Sequence, residues 1–258
     1  MTPNPRRGIR EAASDRRSGA LEIVRRAAEA LAALRPSDVE EAVLTLIRGQ
    51  PWMAPLWRLG SETLGSTDHV AAARNFALRV AAERDGIAKQ AAALLPDLVL
   101  VHSFSSTLIA AVAAAGVRAI CTLSNPGGEG ALMAERLTEV GVDARVVDDA
   151  VALLSVDEVG AVVVGADAVG PAGVVNKVGT RTLAEEARRH STPCYSLAGE
   201  SKLLAVDLPA PQPFERTPMD LFTSVITEEG PLTPDEVARR VPEHPVHPLL
   251  AELLQKHK

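Results

Sequence analysis

Residues 162–187 contain the side chains whose types and spacing most favour chemistry. A short apolar run, 162–164, is typical of a buried parallel strand, and an acid follows it within three residues. After a Gly-rich loop, an amide and a cation stand directly before the start of a predicted helix. Open α/β sheets bind ligands at the carboxyl ends of their strands, and a helix start offers N–H groups to an anion. We therefore predict a small-molecule phosphate site that contains Asp167, Asn176, Lys177, Gly179 and Thr180.

Each of these residues also has a plainer interpretation. Asp167 could cap a nearby helix from the end of its strand, and Asn176 and Lys177 could form a solvated turn. The chain holds neither GxGxxG nor GxxxxGK[ST], which argues against a nucleotide fingerprint. The order of acid, amide, cation and helix start favours the site over the plainer interpretation.

The first part of the chain has the spacing of helices. Apolar residues recur at helical intervals from Gly19 to Leu34, and further helices are predicted over 39–47 and about 67–95. Residues 1–15 are polar and rich in Pro and Arg, so we expect them to be frayed. The sequence thus predicts a helical domain over residues 1–95.

The pattern changes at Pro96, after which strands alternate with helices. Strands are predicted at 98–102, 118–122, 144–147, 161–164 and 193–197, with helices at about 105–115, 129–140, 148–155 and 180–190. Such alternation is typical of βαβ units and a parallel sheet, so the fold class is α/β with a second domain over 96–258. The segment from Pro209 onwards is Pro-rich and is expected to be less regular.

The composition of the 258-residue chain limits its partners and location. A net charge of −6 argues against direct nucleic-acid binding. No apolar stretch reaches the roughly 18 residues that span a membrane, and no secretion signal is visible, so we expect a cytoplasmic protein. Cys121 and Cys194 lie in strand-like runs without metal-binding spacing. We predict two buried, reduced thiols and neither a metal nor a cofactor.

Several short motifs, in a fixed order along the chain, carry a resemblance to a known family. They are Ser18-Gly19-Ala20, Pro51 with Met53-Ala54-Pro55, Val101-His102-Ser103-Phe104-Ser105, Asn125-Pro126, Glu129-Gly130, Gly165-Ala166-Asp167, Asn176-Lys177-Val178-Gly179-Thr180, Lys202, and two segments at 214–218 and 226–228. Over residues 18–236 the chain resembles the proteins related to the alpha, beta and delta subunits of translation initiation factor 2B. That superfamily also contains methylthioribose-1-phosphate isomerase and ribose-1,5-bisphosphate isomerase. The resemblance implies a helical N-terminal domain followed by a Rossmann-like parallel-sheet domain.

The resemblance further implies a sugar-phosphate pocket in which the reacting groups are changed. The isomerases use an aspartate and a cysteine as acid and base; Asp167 matches the aspartate, while Ser103 replaces the thiol. A serine hydroxyl is a poor acid or base without help. Asn125 replaces an arginine of the isomerases and lacks its charge. The implied catalytic positions are Asp167 and Ser103, and the implied ligand-binding residues are Ser18, Gly19, Asn125, Asn176, Lys177, Gly179, Thr180 and Lys202.

Some of these residues keep structural alternatives. Ser103 could be the N-cap of the helix that follows it, and His102 is expected to be a packed core histidine. Arg16 and Arg17 could form a solvated helix face, or they could frame a phosphate near Ser18. These alternatives stay open at the level of the sequence.

The motifs leave three hypotheses about function. The favoured one is an initiation-factor-2B-like protein that binds a sugar phosphate or nucleotide phosphate without strong catalysis. The alternatives are an active aldose–ketose isomerase that uses Asp167, and a purely structural assembly module. Relatives pair through the C-terminal domain, so we expect a homodimer through 214–228, whose apolar residues are Leu221, Phe222, Val225 and Ile226. The other interpretation is that this segment packs into the core of its own chain.

Overall fold

The first part of the chain is helical throughout. A computed structural model of the chain describes residues 4–255. Its first five helices are α1 (Pro5–Ser14), α2 (Ala20–Ala32), α3 (Pro36–Gly49), α4 (Ala54–Gly65) and α5 (His69–Ala92). The longest, α5, has 24 residues, and no helix between residues 4 and 255 is both long and apolar enough to cross a bilayer.

The start of the chain differs from expectation, because residues 5–14 form a helix rather than a frayed end. The Asn4 side chain accepts a hydrogen bond from the backbone N–H of Arg6, and Pro5 suits the first helical position. Ile9 and Ala12 are buried against the other helices. The few apolar residues of this polar segment thus lie on one face and anchor it.

Large apolar side chains hold the five helices together. Leu31, Trp57 and Phe76 are buried in one cluster that includes residues from all five helices. The last helix, α11 (Pro248–Gln255), returns to this cluster, where Leu250 is fully buried. The first and last parts of the chain therefore share a core.

A seven-stranded sheet forms the second part of the molecule. Its strands are β1 (Leu98–His102), β2 (Arg118–Thr122), β3 (Ala144–Val147), β4 (Ala161–Gly165), β7 (Cys194–Leu197), β9 (Ser224–Thr227) and β10 (Gly230–Leu232), in the order β10-β9-β7-β4-β1-β2-β3. All pairings are parallel except that of β10 with β9. The remaining helices are α6 (Ser106–Ala115), α7 (Glu129–Glu139), α8 (Asp149–Leu154), α9 (Thr180–His190) and α10 (Pro234–Arg240). The predicted α/β class, with a helical N-terminal part and a parallel sheet, is confirmed.

Two segments that the sequence predicts to be irregular contain strands. The Gly-rich segment after Asp167 is a hairpin of β5 (Ala168–Gly170) and β6 (Gly173–Lys177), which joins β8 (Phe214–Thr217) in an antiparallel three-stranded sheet. Gly173 has a φ of 127°, in the region that favours glycine, which allows the tight turn. Ala168 and Val175 pack on the helical cluster, so this small sheet bridges the two parts of the molecule.

The four apolar side chains predicted to form the dimer contact are buried within their own chain. Leu221, Phe222, Val225 and Ile226 are at most 6% exposed, and the last two belong to β9 inside the large sheet. The prediction that their apolar face needs a partner is therefore wrong, because the neighbouring strands and helices already cover it. Cys121 and Cys194 are both free and buried, as predicted.

Candidate functional site

A cavity of about 850 Å³ lies between the helical part and the carboxyl edge of the large sheet. The segments that follow β1, β2, β4 and β7 line it from one side, and α2 and α5 line it from the other. This is the edge where parallel sheets place their ligands. Of the residues predicted for a site, the cavity is lined by Ser18, Gly19, Ser103, Asp167, Asn176, Lys177 and Lys202.

Asp167 is held on the cavity wall by its backbone. Its N–H donates to the carbonyl oxygen of Val175 at 2.8 Å, and its own carbonyl accepts from the N–H of Ala54 at 2.9 Å. Burial raises the pKa of the Asp167 carboxyl to about 6, while the Lys202 ammonium acts in the opposite direction. Burial also lowers the pKa of Lys202, against the influence of Asp167 and Glu83. Both groups are thus desolvated where a ligand would meet them.

A second acid, Glu83 of α5, lies near the same lysine. Its carboxylate accepts from the Ser201 N–H at 3.0 Å and from the Ser201 hydroxyl at 2.5 Å. Burial raises the pKa of Glu83 to about 7, and the carboxylate of Glu228 adds to this, although the Ser201 hydrogen bonds oppose it. We refer to Glu83, Asp167 and Lys202 as the acid wall of the cavity.

Ser103, Glu129 and Lys177 form a contrasting group, the paired wall. The Ser103 hydroxyl donates to Glu129 Oε1 at 3.0 Å, and Lys177 Nζ lies 2.7 Å from the same oxygen and 2.9 Å from Glu129 Oε2. The Lys177 side chain is only 6% exposed, and the Glu129 carboxylate provides a counter-charge for its ammonium group. In this wall the charged groups already satisfy one another.

Ser103 is not the N-cap of the helix that follows it. That position belongs to Ser105, whose hydroxyl accepts from the Leu108 N–H at 3.3 Å. Ser103 instead has a φ of 67°, in the left-handed region that non-glycine residues rarely adopt, and its N–H donates to the hydroxyl of Ser124 at 2.8 Å. This conformation points its own hydroxyl towards Glu129.

The start of α9, predicted to receive an anion, is occupied by the chain itself. The backbone N–H groups of Gly179 and Arg181 both donate to Glu215 Oε1 at 2.8 Å. Thr180 is fully buried, and its hydroxyl donates to the Lys177 carbonyl at 2.7 Å. Neither Gly179 nor Thr180 lines the cavity, so its lining gives no support to the predicted ligand contacts there. Their contribution is to position Asn176, whose amide donates to Thr180 Oγ1 at 3.0 Å.

The start of α2 borders the cavity on the helical side. Ser18 accepts from Arg26 through its hydroxyl at 2.9 Å, and Gly19 is the N-cap of α2. Arg16 donates to the carbonyl oxygens of Ala13 and Gly49 at 2.9 and 2.8 Å, and these contacts leave its charge unneutralised. Arg17 is exposed and lines the same end.

Two other predicted residues lie away from the cavity wall. Asn125 is exposed, and its backbone N–H donates to an Asp149 carboxylate oxygen at 2.8 Å; it does not line the cavity, contrary to the prediction. His102 is buried, as expected, with ring nitrogens 2.7 Å from Thr122 Oγ1 and 3.0 Å from the Val178 carbonyl. Burial lowers the pKa of His102, which favours the neutral ring.

Sequence reasoning missed Glu83 and gave no role to Glu129. Glu83 falls between Val80 and Ile87 at helical spacing, so an acid on an otherwise apolar stripe was a readable signal. Glu129 entered only as part of a motif, and its pairing with Lys177 spans 48 residues of sequence, beyond the reach of local patterns.

Comparison with known proteins agrees with this architecture. The model of the initiation factor 2 subunit family matches residues 9–210, so the chain belongs to that family. The putative translation initiation factor eIF-2B subunit 2-like of Pyrococcus horikoshii is 29% identical over 262 aligned positions, which cover 88% of this chain and 95% of the relative. The ribose 1,5-bisphosphate isomerase of Haloferax volcanii is 36% identical over 113 residues, which cover 42% of this chain and 35% of the enzyme.

Solved structures give the same picture of the fold. The translation initiation factor eIF-2B of Pyrococcus horikoshii superimposes with a TM-score of 0.81 at 27% identity, over 91% of this chain and 98% of that one. The 5-methylthioribose 1-phosphate isomerase of the same organism has a TM-score of 0.71 at 20% identity, over 93% and 87%. The chain thus shares its fold with both initiation-factor-like proteins and sugar-phosphate isomerases.

Proposed function

We propose that the chain binds a sugar phosphate in the cavity, without strong catalysis. The observation that carries the proposal is the acid wall, where Asp167 and Lys202 face a volume large enough for a phosphorylated sugar. The carboxylates would accept hydrogen bonds from sugar hydroxyls. Arg16, Arg17 and the start of α2 would bind the phosphoryl group.

The relatives support this class of ligand. The names of two of them, ribose 1,5-bisphosphate isomerase and methylthioribose-1-phosphate isomerase, identify sugar phosphates as their substrates. Those names describe the relatives, and we transfer only the ligand class to this chain. A nucleotide phosphate is the less favoured ligand, because the cavity combines carboxylates for hydroxyl groups with no nucleotide fingerprint in the sequence.

Thermal unfolding of the chain with ribose 5-phosphate, and with unphosphorylated ribose as the matched control, tests the proposal. A ligand present at 100 times its dissociation constant adds about 2.7 kcal/mol to stability, which raises the melting temperature by several degrees. We expect a saturable rise with ribose 5-phosphate and none with ribose. An absence of any shift with a panel of pentose and hexose phosphates would support the structural-module hypothesis instead.

A second candidate function is aldose–ketose isomerisation. The observation in its favour is that burial raises the pKa of Asp167 to about 6 and that of Glu83 to about 7, close to the values of effective acid–base groups. We nevertheless propose weak or absent turnover, because Ser103 stands in the implied thiol position and its hydroxyl is held by Glu129. Proton NMR of methylthioribose 1-phosphate and ribose 1,5-bisphosphate incubated with the chain decides between the two. Rapid appearance of either ketose would establish the isomerase.

We also propose that the chain forms a homodimer, as the resemblance implies. The interface must lie outside Leu221, Phe222, Val225 and Ile226, because the chain's own core buries them. Light scattering at micromolar concentration should give a mass near twice 27.2 kDa. A constant monomer mass up to high concentration would contradict the proposal.

A further inference from the structure

Lys202 lies on a single 3-10 turn, Glu200–Lys202, which follows β7 at the carboxyl edge of the large sheet. The charges of Asp167 and Glu83 act on its ammonium group, but neither acid forms a hydrogen bond with it. The direction of the Lys202 side chain in the cavity therefore depends on how the turn itself is held.

Glu83 of α5 holds this turn from the helical side of the cavity. Its two carboxylate oxygens accept from the N–H and from the hydroxyl of Ser201, at 3.0 and 2.5 Å. Ser201 is the residue directly before Lys202 and is 2% exposed. Two hydrogen bonds from one residue to a single carboxylate fix the orientation of that residue as well as its position. The contact thus joins a helix of the first part of the molecule to the backbone beside Lys202.

The surroundings of the turn leave it little freedom to move away from Glu83. Gly199, directly before the turn, lies so close that a methyl group on this residue would collide with the Glu83 carboxylate. On α4, Arg58 donates to the carbonyl oxygens of Glu200 and Leu203, at 3.3 Å each. Two helices of the first part of the molecule therefore hold the backbone before and after the lysine.

We propose that Glu83 is a positioning residue of the cavity: through Ser201 it directs Lys202 towards the bound sugar phosphate. The inference rests on the proposed function and deepens it by naming a residue that acts through another residue of the site. A lysine has a long, flexible side chain, so it loses more conformational freedom on binding when its backbone is free to move. The two hydrogen bonds between Glu83 and Ser201 order that backbone before the ligand arrives.

A double-mutant cycle, measured by calorimetric titration with ribose 5-phosphate, tests the proposal. Glu83→Ala should weaken binding about tenfold, because Lys202 loses its fixed direction. Lys202→Met has already lost the group that Glu83 positions, so adding Glu83→Ala to it should weaken binding by less than about twofold. If the two losses multiply instead, Glu83 acts on the ligand directly or through general damage to the cavity, and the positioning role is overturned.

The conservative variant separates hydrogen bonding from charge. Glu83→Gln keeps an acceptor for the Ser201 N–H, and its amide can donate to the Ser201 hydroxyl, so affinity should stay within about threefold of the unaltered chain. Binding as weak as that of Glu83→Ala would overturn the proposal. If Glu83→Ala does not fold, Ser201→Ala replaces it in the cycle. This variant should weaken binding in the unaltered chain and leave the affinity of Lys202→Met unchanged.

Glu139→Ala is the matched control, because Glu139 pairs with Arg136 at 2.7 Å on the surface and does not line the cavity. It should leave the affinity unchanged. If the unaltered chain binds ribose 5-phosphate and Glu83→Ala binds it within about twofold as tightly, the positioning role is overturned while sugar-phosphate binding stands. If the unaltered chain binds no sugar phosphate, the proposed function falls, and the role of Glu83 falls with it.

Discussion

Lys177 and Lys202 line the same cavity, yet their surroundings differ in kind. Lys177 forms an ion pair with Glu129 at 2.7 Å, whereas Lys202 faces Asp167 and Glu83, two acids whose pKa values burial raises. In the paired wall, the charges of Lys177 and Glu129 compensate one another inside the protein. In the acid wall, desolvated charged groups are available to a ligand, and their burial destabilises the chain when no ligand is bound.

The comparison predicts that Lys202 contributes more to ligand binding than any residue of the paired wall. Lys202→Met should weaken binding of ribose 5-phosphate by about 10- to 100-fold, because it removes a charge-assisted contact from a desolvated site. Calorimetric titration measures this loss. Lys89→Met on the exposed surface of α5 is the control and should change nothing. A dissociation constant for Lys202→Met within threefold of the original would break the comparison.

The folded chain should become more stable when the negative charge of Asp167 in the acid wall is removed. Because the pKa of Asp167 is raised from 3.8 to about 6 in the folded chain, its ionised form destabilises the fold above pH 6. As pH falls from 6 to 3.8 the folded chain takes up the proton first, so the penalty disappears. Asp167→Asn should therefore raise the free energy of unfolding by about 1–3 kcal/mol at pH 7.5, with little gain at pH 4.

Urea denaturation at the two pH values measures this difference. The ligand must be absent, since a bound sugar phosphate would stabilise only the form that binds it. An equal gain at both pH values would show that the effect comes from packing rather than from ionisation. A lower free energy of unfolding for Asp167→Asn at pH 7.5 would show that the ionised Asp167 carboxylate stabilises the fold, contrary to its raised pKa.

The paired wall should respond with the opposite sign. Glu129→Gln leaves the Lys177 ammonium buried without its counter-charge, so the free energy of unfolding should fall by about 1–3 kcal/mol at pH 7.5. The exposed pair of Arg136 and Glu139 provides the reference, because Glu139→Gln should cost about 0.5 kcal/mol or less. Equal losses of unfolding free energy in the two variants would mean that burial does not increase the contribution of the Glu129–Lys177 pair to stability.

The smallest effect is expected at the start of α9, where Glu215 occupies the anion position. Glu215→Ala removes the acceptor for two backbone N–H groups, so the free energy of unfolding should fall by about 1 kcal/mol. Affinity for ribose 5-phosphate should stay within twofold, because this helix start does not border the cavity. A marked gain in phosphate affinity would show that Glu215 screens an anion site after all.

The sequence predicts five of the seven strands of the large sheet well, because buried parallel strands are short apolar runs, whereas β9 and β10 lie in the segment after Pro209 that was expected to be less regular. Strands β1, β2 and β3 have the predicted bounds, and β4 and β7 differ from them by one residue. The small sheet was not predicted, since β5 and β6 are short, rich in glycine and paired with β8 about 40 residues away. Their pairing depends on contacts with the helical part, which local patterns do not encode.

Residue types alone predict which side chains line the cavity better than they predict the groups that those side chains contact. Asp167 and Lys177 follow apolar runs and lie on the cavity wall, but the helix start beside them is taken by Glu215 from another strand. The sequence gives no local sign of this carboxylate. The N–H groups at the start of α9 therefore bind a carboxylate of the same chain instead of a ligand anion, because the fold brings Glu215 to this position.

A crystal structure of the chain with ribose 5-phosphate tests the central claim most directly. One sugar phosphate should occupy the cavity, with its hydroxyl groups hydrogen-bonded to Asp167 and its phosphoryl group beside Arg16 and Arg17. The Glu129–Lys177 pair should remain intact in the complex. A phosphoryl group bound instead at Lys177, with Glu129 displaced, would contradict the proposed binding mode.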